Sequence, residues 1–188
     1  PANGGAKTLV SDNGIRPQFN NTDTRIYFQS YADGKKALKS IDLNGANERT
    51  HFTSQYANQF VISPDNKWLA FNELFNVYIT PMINIGTAQD ASAGNKAIPV
   101  TKVTTDGGTY IQWSADSKNL HWILGPKYFT ITVDEAFNFD GKTPKAQATG
   151  TDINLVLKSD LPTGIVALKG GRIISMKGDE VIEKGTIL

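Results

Sequence analysis

Side chains able to do chemistry are few in this sequence. Two histidines and no cysteine occur among 188 residues, which removes thiolate nucleophiles, disulfides and thiolate metal sites. A hydrolytic metal ion needs three or four ligands converging within about 2 to 2.3 Å, and His51 and His121 are far apart in the chain. His121 stands between Leu120 and Trp122, so in a strand it faces away from both; His51 stands beside Phe52 at a strand end. Both read as histidines on a sheet surface. A serine nucleophile fares no better, because no Gly-x-Ser-x-Gly elbow exists, and Ser63-Pro64-Asp65 and Ser114-Ala115-Asp116 are explained as turns. Gly107-Gly108 and Gly170-Gly171 lack the spacing of a dinucleotide or phosphate loop and read as hairpin punctuation. Asn138-Phe139-Asp140-Gly141 invites a calcium loop, but counting back from Gly141 puts Ala136 where the first Asp ligand belongs. No residue is assigned to catalysis, to a cofactor or to a metal.

Charge excludes further classes. Lys and Arg number 19 against 18 Asp and Glu, a formal charge of +1, without the clustered cations that release counterions from nucleic acid or anionic lipid. Asp33-Gly34-Lys35-Lys36 and Lys142-Thr143-Pro144-Lys145 are short basic clusters that read as solvated turns. Apolar runs fall well short of the about 20 residues of a spanning helix, and the opening Pro1-Ala2-Asn3-Gly4-Gly5 has neither a basic nor an apolar leader region. The absence of cysteine suits a reducing cytoplasm or a cysteine-avoiding periplasm.

The elements behind these residues are short and rich in Val, Ile, Tyr, Phe and Trp, with Asp-Gly, Asn-Gly and Gly-Gly between them, the spacing of an all-β fold. Three segments align without a gap, starting at Phe19, Ile62 and Trp113, offsets of 43 and then 51 residues. Each carries an aliphatic residue seven places on (Ile26, Leu69, Leu120) and an aromatic nine places on (Phe28, Phe71, Trp122). The second and third share Ser-x-Asp turn chemistry; in the first, Asp23 comes one place later. A third alternating run follows each, containing Ile41, Val77 or Phe129, and a fourth follows near residues 49–52 and 98–101. Such a period is that of a four-stranded propeller blade. Residues 86–95, small and polar, read as an enlarged mobile loop. Phe19, Trp113, Phe28, Phe71 and Trp122 read as packing between blades, and Tyr56, Tyr110 and Trp68, which break the repeat, as candidates for a surface contact.

Ile62-Ser63-Pro64-Asp65-Asn66-Lys67-Trp68-Leu69-Ala70-Phe71 resembles the WSPDGKxIAF signature of TolB-like propeller repeats, and Ile41-Asp42-Leu43-Asn44-Gly45 is similar to that repeat's strand and turn. This resemblance covers residues 8 to about 133. It implies a bacterial chain, which makes the sequon Asn20-Asn21-Thr22 accidental, and it reads residues 9–14 as the last strand of an earlier blade. The expected blades start near residues 15, 57 and 109.

After Val133 the pattern stops. Residues 134–160 read as a last strand, within 151–157, and a linker. Residues 161–188 resemble the opening of an imidazolonepropionase-like amidohydrolase, through Gly171-Arg172-Ile173-Ile174 and Val181-Ile182-Glu183-Lys184-Gly185-Thr186-Ile187-Leu188. That resemblance implies the first strands of a small β-sandwich, with the metal-binding His-x-His of the family, and its divalent ion, expected to be zinc, further on than Leu188.

The expected fold is therefore all-β, a partial β-propeller of about three four-stranded blades (1–133) followed by the first strands of an amidohydrolase β-sandwich (161–188). The expected role is non-catalytic: shaping substrate access or assembly in a metal-dependent amidohydrolase of amide or peptide-like C–N bonds. The alternative is a TolB-like protein-interaction module of the bacterial cell envelope. Expected partners are the rest of the same polypeptide or other proteins, and a second copy of the segment, since three blades cannot close a ring. The expected compartment is the periplasm or the exterior, with the cytoplasm left open.

Overall fold

A computed structural model describes residues 4–22, 24–138, 150–154, 156–161 and 163–188. Asp23, the Phe139-Asp140-Gly141 part of the calcium-loop candidate and the Lys142–Lys145 cluster lie outside them. The chain divides into two compact units, residues 1–154 and 155–188.

The first unit holds three sheets in chain order, each built on an antiparallel meander. Sheet one contains β1 (Ile15–Gln18), β2 (Arg25–Ala32), β3 (Lys35–Asp42) and β4 (Arg49–Ser54). Sheet two contains β5 (Ala57–Ile62), β6 (Trp68–Glu73), β7 (Asn76–Pro81) and β9 (Thr101–Lys102), while β8 (Gln89–Asp90), which precedes β9 in the chain, adds to sheet one as a fifth strand beside β4. Sheet three contains β10 (Thr109–Trp113), β11 (Asn119–Leu124), β12 (Lys127–Thr132) and, after helix α1 (Val133–Phe137), β13 (Thr151–Asp152). The first four strands of sheet one and the strands of the other two sheets pair antiparallel in chain order, so the fold is all-β and takes the form of a partial propeller. The first strands begin at Ile15, Ala57 and Thr109.

Strand alternation builds the two cores between sheets. Tyr27, Leu38 and Phe52 of sheet one pack with Phe60, Leu69 and Phe71 of sheet two. Ala70, Val77 and Ile79, from the opposite face of sheet two, pack with Ile111, Leu120, Trp122 and Phe129 of sheet three. Successive residues Ala70 and Phe71 thus serve different cores, as the pleat requires. Phe71 stacks on its cross-strand partner Tyr78 with centroids 5.3 Å apart, and Trp122 stacks on Phe129 at 5.5 Å. The equivalent partner of Phe28 is Lys39, and Phe28 is covered from the segment before β1, where Gly14 lies so close that a Cβ would meet the Phe28 ring at 2.9 Å.

Several expectations are corrected. Residues 9–14 form no strand and Leu9 is exposed; the chain bends at Asp12 and Asn13 instead, with Asn13 N–H donating to Ser11 Oγ at 3.3 Å. Phe19 is 55% exposed and packs no core: it follows β1 in an irregular turn rather than continuing the strand. The loop 86–95 is tied down, since β8 pairs in parallel with β4, Ala91 is fully buried and the Ala91 N–H donates to Thr53 O at 2.8 Å. Among the described residues of the expected strand 151–157, only Thr151–Asp152 pairs, against Lys127 and Tyr128. Helix α1 was not anticipated; a capping box makes it, Thr132 Oγ1 accepting from Glu135 N–H at 3.1 Å while the Glu135 carboxylate accepts from Thr132 N–H at 2.8 Å.

The second unit is a hairpin of β14 (Leu168–Ile174) and β15 (Val181–Ile187). Its ladder shifts register around Gly171 and Gly185, and Gly185 is held free of a side chain because a Cβ there would meet Ile173 Cδ1 at 2.2 Å.

Candidate functional site

Two places in the first unit gather polar side chains. The first centres on His51. The β3–β4 ladder runs Leu38 to Phe52 and then Lys39 to Thr50, so His51 is one residue too many on its strand. A bulge of this kind re-aims a side chain; here it turns His51 inward, 7% exposed, with Tyr27 tilted against it at 5.4 Å. The expected surface histidine is therefore a buried one. Its Nδ1 lies 2.9 Å from Asn84 Oδ1 and its Nε2 lies 2.6 Å from Ser40 Oγ. Because Asn84 Oδ1 can only accept, Nδ1 carries the proton, Nε2 accepts, and the Ser40 hydroxyl donates. Burial pushes the His51 pKa below its ordinary value, opposed by the Asn84 bond and assisted by the charges of Arg25 and Arg49.

That chain has the order of a nucleophilic relay, serine to histidine to an orienting amide. Its surroundings deny it the chemistry. Ser40 is 0% exposed, and its oxygen also accepts from Arg25 Nε at 2.9 Å, while Arg25 is ion-paired with Asp42. A carbonyl substrate has no approach to an atom so enclosed. The relay instead braces β3 and β4 against the connection that follows β7, beneath a cleft of about 530 Å³ lined by Arg49, Thr50, His51 and Asn84 among others.

The second place lies where β1, β5 and β10 begin. These three first strands run side by side, linked by side chains: Arg16 Nη1 donates to Asn58 O at 3.0 Å, Gln18 Nε2 donates to Phe60 O at 2.8 Å while its Oε1 accepts from Ile62 N–H at 3.0 Å, and Trp113 Nε1 donates to Val61 O at 3.0 Å. Side-chain amides and an indole thereby satisfy edge groups that would otherwise invite another strand. Each first strand also carries one residue more than its partner, within Ile15–Gln18, Ala57–Gln59 and Thr109–Gln112. Arg16, Asn58 and Tyr110 fall in those bulges, and all three line one cleft of about 530 Å³ together with Gln59, Phe75 and Thr109, over the buried Asn72. Arg16 (φ 52°), Phe75 (φ 72°) and Tyr110 (φ 53°) are held in the left-handed region, a cost to non-glycine residues that marks functional sites more than plain scaffold.

Four exposed aromatic side chains lie at this same end, with Phe19 at the other. Tyr31 precedes the β2–β3 turn, Tyr56 sits in the β4–β5 turn, Leu74 and Phe75 form the β6–β7 turn, and Tyr110 is the second residue of β10; all are exposed, Phe75 by 76% and Tyr110 by 74%. Tyr56 and Tyr110 were legible in the sequence as surface candidates. Trp68 is only half-exposed, against Phe137 with ring centroids 5.0 Å apart. Arg16, Asn58, Gln59 and Phe75 were missed. Leu74-Phe75 in the middle of a hairpin was the available signal, two large apolar residues where a turn wants Gly, Asn or Asp.

His121 is half-buried beside Tyr128, whose hydroxyl lies 2.7 Å from its Nδ1. Among the described residues no three His, Cys, Asp or Glu side chains are placed to hold a metal ion, and no helix is long and apolar enough to cross a membrane. Lys36, expected in a solvated turn, is bound to Asn58 Oδ1.

No protein-family model and no curated protein matches the chain. Similar solved structures include the tricorn protease (12% identity, 76% of this chain and 17% of that one, TM-score 0.43). TolB from Acinetobacter baumannii shares 16% identity over 64% of this chain and 41% of its own, with a TM-score of 0.34. The acylaminoacyl peptidase of Pyrococcus horikoshii shares 15% identity over 93% of this chain and 25% of its own, with a TM-score of 0.38. The chain spans less than half the length of each of these proteins.

Proposed function

We propose that the three sheets are a non-catalytic propeller module that presents a recognition surface. One observation carries this: the serine–histidine relay is sealed, with Ser40 fully buried, whereas Tyr31, Tyr56, Phe75 and Tyr110 are exposed together at the end where the first strands begin. A surface built to bind shows side chains to water; a catalytic serine must do so as well, and this one does not.

The finer reading rests on the resemblance of residues 161–188. In it the module belongs to a metal-dependent amidohydrolase acting on amide or peptide-like C–N bonds, and shapes access to that enzyme or its assembly. The divalent ion, expected to be zinc, would be held by barrel residues beyond Leu188 and by none named here. The compartment in this reading is the bacterial periplasm or exterior. Coding sequence continuing into a His-x-His strand supports the reading, and its absence overturns it. Removing the blades from such an enzyme should alter the turnover of large substrates more than small ones; equal turnover of both would remove the gating role.

The exposed aromatic end also favours the second reading, a TolB-like docking module of the cell envelope, for which recovery of envelope proteins with the 188-residue chain is the supporting result. The three sheets of the described residues are fewer than the four to eight blades of a closed propeller, so under both readings the isolated 188-residue segment is expected to associate with a second copy, and a strict monomer by light scattering at high concentration counts against that part.

A further inference from the structure

We infer that the cleft lined by Arg16, Asn58, Gln59, Phe75, Thr109 and Tyr110 is a binding site for a saccharide that carries a carboxylate. The inference concerns the ligand class of the first unit alone and stands whether or not a hydrolase follows.

Three features of the lining select that class. Its two ring systems, Phe75 and Tyr110, are open platforms rather than the walls of an apolar pocket. An aliphatic or aromatic peptide side chain gains most from an enclosed apolar pocket; the C–H face of a pyranose ring gains from an open aromatic face while leaving its hydroxyls free. Those hydroxyls need both donors and acceptors, and the remaining lining supplies amides and a hydroxyl, groups that do both. Gln59 commits one of its two Nε2 protons to Ile111 O at 3.4 Å and Thr109 commits its hydroxyl proton to Ile123 O at 3.2 Å. The Gln59 carbonyl oxygen and the lone pairs of the Thr109 hydroxyl are left to accept.

Charge supplies the carboxylate. Arg16 lines the cleft, Lys36 reaches Asn58 at its margin, and no Asp or Glu is among the lining residues. Arg16 directs Nη1 at Asn58 O and Gln29 Oε1, so the guanidinium is fixed by protein contacts before a ligand arrives, which lowers the ordering cost of an ion pair. The left-handed backbone at Arg16, Phe75 and Tyr110 is the cost of turning these side chains toward one space, and the equivalent gapless-repeat positions Arg16, Gln59 and Tyr110 all lie there.

The test uses the full 188-residue chain and defined probes: tri-galacturonate, a hyaluronan tetrasaccharide and sialyllactose against neutral cellotriose and maltotriose, by calorimetry and by backbone amide shifts. Expected is millimolar or tighter binding of at least one acidic probe, shifts centred on Arg16, Gln59, Thr109 and Tyr110, and a preference over the neutral sugars that disappears in Arg16→Asn. Tyr110→Asn and Phe75→Asn keep a residue type that tolerates the left-handed region and should each weaken binding about tenfold or more without lowering the unfolding midpoint. No binding of any acidic probe at millimolar concentration overturns the inference, as does binding untouched by both ring substitutions. Equal binding of neutral and acidic sugars overturns its carboxylate part.

Discussion

The backbone N–H of Asp65 donates to the Ser117 hydroxyl at 3.0 Å, joining the hairpin turn of the second sheet to that of the third. One sheet earlier, Asn21 N–H donates to Pro64 O at 2.8 Å, so the turns of three successive sheets are chained at the end opposite the aromatic one. Within each of the later turns the same contacts recur. Ser63 Oγ bonds Asp65 Oδ1 and accepts from Trp68 N–H, and Ser114 Oγ bonds Asp116 Oδ1 and accepts from Asn119 N–H. Asn66 and Ser117 hold the matching left-handed position.

Ser117→Ala should therefore act on the join between sheets two and three rather than on its own turn. Ser117 is buried, so the substitution leaves the Asp65 N–H short of an acceptor, and the expected cost is about 1 to 3 kcal/mol. Urea unfolding should show a lower midpoint with an unchanged slope. A cost below about 0.5 kcal/mol, the range of surface substitutions, would mean that water replaces the hydroxyl and the chain of turns is not structural.

Acid should weaken the first unit through His51. Burial holds its folded pKa below the ordinary 6.5, so between 6.5 and the folded value the unfolded chain takes up a proton that the folded chain refuses. Stability is then present above about pH 6.5 and falls as the pH drops below it. The charged neighbours that face it, Arg25 and Arg49, push the same way, and His121, also lowered by burial though opposed by Asp116, adds in the same window. Unfolding midpoints should drop between about pH 7.5 and 5.5, with a flatter slope in His51→Gln and a nearly flat one when His121→Gln is added. An imidazole titration of His51 at or above 6.5 by NMR would reverse the sign and refute the account.

The sequence made the sheets legible because each strand repeats a burial pattern: Phe71 and Trp122 recur nine places after Ile62 and Trp113, and both are buried. It misread residues whose surroundings come from elsewhere in the chain. His51 looked superficial because the bulge that turns it inward is a property of the β3–β4 register, invisible in a single strand. Residues 86–95 looked loose because their small polar composition is that of a linker, while their order comes from pairing with β4 and from Glu73, whose carboxylate accepts from Ala93 N–H at 2.6 Å. The cleft was half-seen: Tyr110 broke the repeat, but Arg16 and Phe75 reach the same space only through bulges and a turn.

Helix α1 gives a local prediction with an optical reading. Thr132 closes the capping box and Phe137 ends the helix against Trp68. Thr132→Ala should cost about 1 kcal/mol, and by loosening the last turn it should change Trp68 emission before global unfolding begins. The bonds from the Thr132 backbone and hydroxyl hold the Glu135 carboxyl below its usual range, so its contribution is present above the ordinary Glu value and is lost as the pH falls through the lowered one. An unchanged emission spectrum in Thr132→Ala would show that the Trp68–Phe137 contact does not depend on the cap.

Gly108 offers the sharpest test of packing between sheets two and three. Its N–H donates to Phe75 O at 2.8 Å and its carbonyl accepts from Asn72 Nδ2 at 2.8 Å, so the backbone there is pinned. A Cβ would meet Trp122 Cδ1 at 2.5 Å and Val77 Cγ2 at 2.9 Å, both in the fully buried core between the sheets. Gly108→Ala should cost about 1 to 3 kcal/mol by overpacking, whereas Gly94→Ala, which meets nothing within 4 Å, should be nearly neutral. Trimming the obstacle distinguishes overpacking from backbone strain: Trp122→Ala alone opens a cavity and destabilises, but in the Gly108→Ala background it also removes the Cγ and Cδ1 that the new Cβ would meet. The two substitutions in one chain should therefore cost less than their separate costs added, with a coupling of about 0.5 kcal/mol or more. Strict additivity in denaturant unfolding would place Gly108 outside the Trp122 packing and would undo the stacking of the third sheet on the second.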